Sequence, residues 1–384
     1  MTVWCLIILS ISTHVRRIVE SNLGTVEVTG EVLLSPVELP PQVQAIEIAH
    51  GAWKSQAMRS FVSTGLADSM GSLCQDGKFV STSKISEKSS TKADPTYRLL
   101  RFLATFDVVV ENDKHEFTLG PVGEVCVKSH PNSVANVILW EASETCNRPW
   151  LFMDDFLQEN QPVVKEAFGT EDYYSFIVGT GKPFAEFQSA MTHFSNEEGM
   201  FLKTPFISPT FDLSSYDTIC DLGCAEGAAA LAMNERYPNA NYILADLPES
   251  VARIEESSLP SNFETAGIDF LQSVPKADAY FLKHVIHNSD DAKTKKIFEN
   301  IQIANPEARI FVAEFGPMTG PNVPHLAKGF DLHMGLHFGA AERTQEQYDK
   351  LWMSNGLELV QIHMLGGGAL PLYVQELKAS TLKP

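Results

Sequence analysis

YDTICDLGCAEG, residues 216–227, is the stretch on which the reading of this chain turns. Ile219, Cys220 and Leu222 make a short apolar run of the kind that forms a buried strand. Asp221 sits inside it, and Gly223 and Gly227 follow in G-x-x-x-G spacing. Next comes AAALAMNER, residues 228–236, a run of strong helix formers. Strand, glycine turn and helix together make a nucleotide-cofactor loop. Glycine permits tight turning and close approach to a ligand, and the helix start offers unpaired N–H groups. The dinucleotide fingerprint G-x-G-x-x-G is not met, because Ala225 stands where its second glycine belongs. An acidic residue followed by G-x-x-x-G suits S-adenosylmethionine (SAM) better than a nicotinamide dinucleotide. An ordinary glycine turn is the competing reading.

Working outward, the downstream text alternates strands and helices. NYILADLP (241–248), FETAGIDF (263–270), ADAYFLKHVIH (277–287) and ARIFVAEF (308–315) read as strands. DAKTKKIFENI reads as a helix after the third of these, and TQEQYDKLWMSNG as a helix closed by Gly356. LELVQIHML and ALPLYVQEL, separated by three glycines, read as a final hairpin. The fold class expected is α/β: a Rossmann-like sheet of parallel strands with a terminal antiparallel hairpin.

Upstream the rhythm is helical. Val43, Ile46, Ala49, Trp53, Ala57 and Phe61 recur at helical spacing, with Gly65 as a stop. Asp94-Pro95 reads as an N-cap and first helical residue for TYRLLRFLATF. VVVENDKHEFTLG then reads as a hairpin, which gives a mainly α, winged-helix pattern. Such a pattern serves DNA binding or dimerisation with substrate cover. The net charge of −19 argues against DNA, since phosphate neutralisation needs basic residues. Three regions are expected: a poorly ordered leader at 1–40, a winged-helix dimerisation and substrate-cover domain at 41–205, and a SAM-binding catalytic domain at 206–384.

The leader carries a short apolar run, VWCLIILSI (3–11), too short to span a membrane. A signal peptide is the weaker reading, because Arg16-Arg17 follows the run instead of a basic residue preceding it. Six scattered cysteines without a C-x-x-C pair read as reduced thiols and a cytoplasmic location, not as a disulfide framework or zinc site.

Ligands of open α/β sheets bind beyond the carboxyl ends of the strands. Asp221, Asp246, Asp269, His287 and Glu314 all fall at or near such ends. Asp246 lies about twenty residues past the glycine loop, where an acid accepts from ribose hydroxyls. His287 has the side chain best suited to proton transfer near neutrality. His284, three residues earlier, reads as structural. The helical stretch PFAEFQSAMTHF (183–194) reads first as core.

Four segments carry a resemblance: DLGCAEG at 221–227, LADLP at 244–248, YFLKHVIHNSDD at 280–291 and GAAERTQEQYDKLW at 339–352. With them the chain, over about residues 41–378, resembles the small-molecule O-methyltransferases that include the plant caffeate and flavonoid enzymes and acetylserotonin O-methyltransferase. The resemblance implies a homodimer, SAM as methyl donor, a small aromatic acceptor and no metal. It implies catalytic roles for His287 as base and for Glu314 and Glu342 as its flanking carboxylates. It implies cofactor contacts from Gly223, Asp246, Leu247, Asp269, Phe270, Lys283 and Ser195. It implies an acceptor pocket with Met191, Met334, Phe187 and His337.

Departures are visible. Cys224 and Ala225 replace two glycines of the family loop, and His287-Asn288-Ser289 replaces His-Asp-Trp. Two rival readings follow from these differences: a relative that binds SAM without methylating, and a winged-helix regulator.

Overall fold

The computed structural model describes residues 39–181, 183–191, 210–365 and 372–380. The leader up to residue 38, and Ser195, lie outside the described residues. Two compact units divide between Ser143 and Glu144. The change of rhythm near 200–215 therefore falls inside the second unit. The short helices of 144–181 fold with the sheet-bearing half; Val163 N–H, for example, donates to Leu336 O at 3.0 Å.

In the first unit, helices Gly51–Ser63, Leu66–Leu73, Thr82–Ser89 and Ala93–Leu103 accompany a small antiparallel sheet. Its strands are β1 (Val80–Ser81), β2 (Val109–Glu111) and β3 (Glu116–Leu119), in the order β1-β3-β2. Phe61, Met70, Ile85, Leu100 and Phe117 are fully buried together. The helix stop at Gly65 is present, with φ +73°. Asp94 is not the N-cap: Thr96 N–H donates to Lys92 O at 3.1 Å, so the helix begins at Ala93.

The second unit is built on seven strands: β4 (Thr218–Leu222), β5 (Asn241–Asp246), β6 (Phe263–Gly267), β7 (Ala279–Lys283), β8 (Arg309–Glu314), β9 (Leu357–Leu365) and β10 (Leu372–Ala379). Their order is β6-β5-β4-β7-β8-β10-β9. The first five run parallel, and β10 is antiparallel to both β8 and β9. Period-two alternation sends the apolar residues to two cores. Ile219, Tyr242, Leu244, Phe281 and Phe311 meet helix Ala228–Arg236 on one face. Cys220, Leu222, Tyr280, Leu282 and Val312 meet helices Asp291–Ala304 and Gln345–Ser354 on the other. Burial on both faces explains why the strands read as near-continuous apolar runs. The chain reverses its direction of build between neighbours β4 and β7. Their carboxyl ends frame the crevice where such sheets bind ligands.

Candidate active site

The glycine loop is anchored to the neighbouring strand. Gly223 N–H donates to Ala245 O at 2.8 Å, with Gly223 at φ +81°. A side chain there would begin 2.6 Å from Val285 Cγ2, so the position needs glycine for space as well as conformation. Cys224 is nine-tenths buried and belongs to the core on the Ala228–Arg236 side. The loop thus turns this replacement of glycine inward. Ala225 is different: it holds φ +49°, which an L-residue with a Cβ adopts only under strain. Its N–H donates to Asp246 Oδ2 at 2.8 Å, and Leu247 N–H donates to Asp246 Oδ1 at 2.7 Å. Burial raises the Asp246 carboxyl above the usual carboxylate range, against those two donors. Replacing Ala225→Gly should relieve strain and raise stability by about 0.5–1 kcal/mol. Thermal unfolding with and without SAM would show it; an unchanged or lower midpoint would contradict the strain.

Asp221 is buried, and its Oδ2 accepts from Ala230 N–H at 3.1 Å, tying β4 to the helix that follows. Burial pushes it up to about 7, opposed by the charge of Lys283 at the end of β7. Asp269 is exposed and folds an Asx turn, with Oδ1 accepting from Leu271 N–H at 2.9 Å. Phe270 beside it is half-buried against the second core. Tyr174 had no place in the sequence reading. Its hydroxyl is pushed up to about 12 by burial and then by the Asp246 charge. Its ring meets Phe187 edge-on at 6.1 Å.

The strand expected over 277–287 ends at Lys283. His284 turns to φ +53°, and Ile286–Asn288 forms a 3₁₀ turn. Glu314, at the end of β8, draws this turn inward: its Oε1 accepts from Ile286 N–H at 3.1 Å and from His287 N–H at 3.2 Å. Asn288 Nδ2 donates to His284 O at 2.9 Å. An aspartate there has no N–H to give, so the departure at 288 has a structural use. Ser289 is buried, and its carbonyl accepts from Arg343 Nη2 at 3.1 Å.

His287 is buried with Nδ1 2.6 Å from Glu342 Oε1 and 3.6 Å from Glu314 Oε2. Both carboxylates are 1% exposed. His284 Nδ1 lies 3.3 Å from Glu314 Oε2, so its ring joins the cluster. Burial opposes the Glu314 charge, yet His287, then His284, hold the carboxyl below its ordinary range. Glu342 Oε2 is buried and has no hydrogen-bond partner among the described residues.

A chain of rings leads away from His287. Phe315 lies 6.2 Å from it, Phe330 lies 4.9 Å from Phe315, and His333 lies 6.2 Å from Phe330. Trp150 Nε1 donates to His333 Nδ1 at 3.3 Å. Indole only donates, so His333 is fixed with its proton on Nε2. Burial, then His337 and His287, keep it neutral by holding its pKa well down. Neither residue was legible as a site residue, because their pairing joins positions 183 residues apart. Met334 is buried next to His333 on helix Leu326–Phe338, and Met191 is half-buried in the helical stretch described over 183–191. His337 is buried on the same helix as Met334. Its Nδ1 lies 2.7 Å from His333 O and its Nε2 3.2 Å from Cys146 O, and a neutral ring donates to one of these carbonyls. Burial also lowers it to about 4.

Residues 150–358 match the model of the O-methyltransferase domain, and residues 46–129 match that of the O-methyltransferase dimerisation domain. The chain belongs to the O-methyltransferase family. Among relatives of this methyltransferase, a phenazine O-methyltransferase of Lysobacter antibioticus is 24% identical over 83% of this chain and 91% of its own length. An (iso)eugenol O-methyltransferase of Clarkia breweri is 25% identical over 81% of this chain and 88% of its own. The structure of human N-acetylserotonin methyltransferase in complex with SAM shares the fold. Its TM-score is 0.78 at 21% identity, covering 90% of this chain and all of that one.

The methyltransferase uses SAM, and its crevice has suitable chemistry. Asp246 and Asp269 put carboxylates at or just past the strand ends, which repels a pyrophosphate. The same charges suit a sulfonium cation that also carries an ammonium group and a ribose diol.

Proposed function

We propose that His287 is the general base of an O-methylation whose acceptor is a small aromatic hydroxyl compound. The observation that carries this reading is the buried 2.6 Å contact between His287 Nδ1 and Glu342 Oε1. Held by its proton on Nδ1, the imidazole presents Nε2 as a lone pair. Glu342 then favours the imidazolium formed when Nε2 takes the acceptor proton. A free phenol has a pKa of about 10, so His287 removes that proton as the oxygen attacks, not beforehand. When bound, SAM supplies an electrophilic methyl group. The loop at Gly223, with Asp246, Leu247, Asp269, Phe270 and Lys283, is our assignment for holding it; Asp246 takes the ribose.

The rings of Phe315, Phe330 and His333 support a planar acceptor, with Met334 and Met191 as further walls. His333 adds a requirement. Its fixed Nε2–H suits an acceptor that carries a carbonyl or ring nitrogen near the methylated hydroxyl. His333→Phe keeps the ring and removes the donor. It should lower kcat/KM about tenfold for such acceptors and leave simple phenols unchanged. Equal losses on both classes would refute the donor. Labelled SAM incubated with indole, catechol, flavonoid and phenazine-like acceptors tests the proposal as a whole; no transfer to any hydroxyl would end it.

We further propose a homodimer formed through the first unit, whose helices and β2–β3 hairpin suit a winged helix. Among the described residues no helix is long and apolar enough to cross a membrane. Five described cysteines are buried free thiols, which supports a reducing, cytoplasmic setting.

A further inference from the structure

We propose that His284, His287 and Glu314 form a binding site for a divalent transition-metal ion of the zinc class, and that the ion switches the base off. Each of the three residues offers one ligand atom, a ring nitrogen or a carboxylate oxygen, and these atoms all lie within 4.8 Å of one another. Glu314 Oε2 is 3.3 Å from His284 Nδ1 and 3.6 Å from His287 Nδ1. Ligands at about 2.0–2.2 Å around a tetrahedral zinc lie roughly 3.3 Å apart, so small side-chain shifts complete the set. Two imidazoles and one carboxylate with an open position is a donor set that suits zinc and its neighbours.

The electrostatics favour a dication. Glu314 and Glu342 are two buried carboxylates, and among the described residues neither has a lysine or arginine partner. Arg343, next in sequence to Glu342, is committed to Ile286 O, Ser289 O, Ala341 O and Asp291. Glu342 Oε2 has no partner among the described residues although it is buried. Glu342 is thus available as a fourth ligand once His287 Nδ1 turns to the metal, or as an anion just outside the ligand set.

Binding would change the proton at the base. The ion takes the Nδ1 lone pair of His287, and the ring proton moves to Nε2. An Nε2–H cannot accept the proton of a hydroxyl. The inhibitory half of the proposal rests on His287 as the base, whereas binding itself does not.

The test uses full-length, tag-free protein stripped of metal, titrated with cobalt(II) as a visible probe and with zinc(II) in competition. One cobalt per chain with the strong visible bands of a low-coordinate nitrogen and oxygen site is expected, displaced by zinc. His284→Asn, which tolerates the left-handed backbone at 284, and His287→Gln should each lose the bands. His115→Asn, at an exposed histidine of the first unit, should keep them. Methyl transfer by the wild type should fall at least tenfold at saturating zinc and return on chelation. Absent bands, or bands unchanged in His284→Asn, overturn the site. Bands with undiminished methyl transfer leave the site standing and overturn the base.

Discussion

Replacing His287→Gln should lower kcat by between about 100- and 10,000-fold, with SAM affinity unchanged within about twofold. Glutamine matches the reach of the imidazole and can still donate an N–H towards Glu342. It has no lone pair of useful basicity to take a phenolic proton. The loss corresponds to about 3–5 kcal/mol of barrier. Folding should survive, because Glu314 holds the turn through the backbone N–H groups of Ile286 and His287, not through the imidazole. Rapid-quench methyl transfer and calorimetric SAM titration on the same preparation separate the two effects. A variant within tenfold of wild type would mean that the acceptor loses its proton to something other than His287. His284 would then be the next group to substitute, since its ring centroid lies 5.2 Å from that of His287.

The sheet was legible because its physics is local. Buried parallel strands write themselves as apolar runs, and Gly223 marks a turn that no larger residue fits beside Val285. The acids at strand ends were legible for the same reason: topology puts those ends together whatever the side chains do. The terminal hairpin was legible as two apolar runs joined by glycines, but the strand order, with β10 inserted between β8 and β9, was not.

What did not read out was geometry set by distant partners. The apolar run through Val285 and Ile286 looks like strand. Yet Glu314, about thirty residues on, captures two of its N–H groups and bends it into a 3₁₀ turn. His284 read as structural, and its contact with Glu314 Oε2 at 3.3 Å was not legible. His333 looked like any helical residue until Trp150 fixed its tautomer. Cys224 and Ala225 read alike in the sequence, as two replacements of glycine. The structure separates them: one side chain enters the core, and the other leaves a strained backbone in place.

Glu314 and Glu342 should respond in opposite ways to substitution. Glu314→Ala strips partners from Ile286 N–H, His287 N–H and the His284 ring in a buried place. Leaving the two buried backbone N–H groups unpaired should cost about 3–5 kcal/mol of stability and abolish transfer. Glu342→Gln removes a charge while leaving an amide oxygen to accept from His287 Nδ1. Its kcat should fall about 10- to 100-fold, because the imidazolium is no longer stabilised and the ring is less firmly aimed. Stability should hold or rise by about 1 kcal/mol, since the charge removed is buried and one of its oxygens has no partner among the described residues. Denaturant midpoints set beside single-turnover rates decide the matter. If Glu342→Gln unfolds as readily as Glu314→Ala, Glu342 is a structural anchor like its neighbour, and the orientation of the base must come from Glu314 alone.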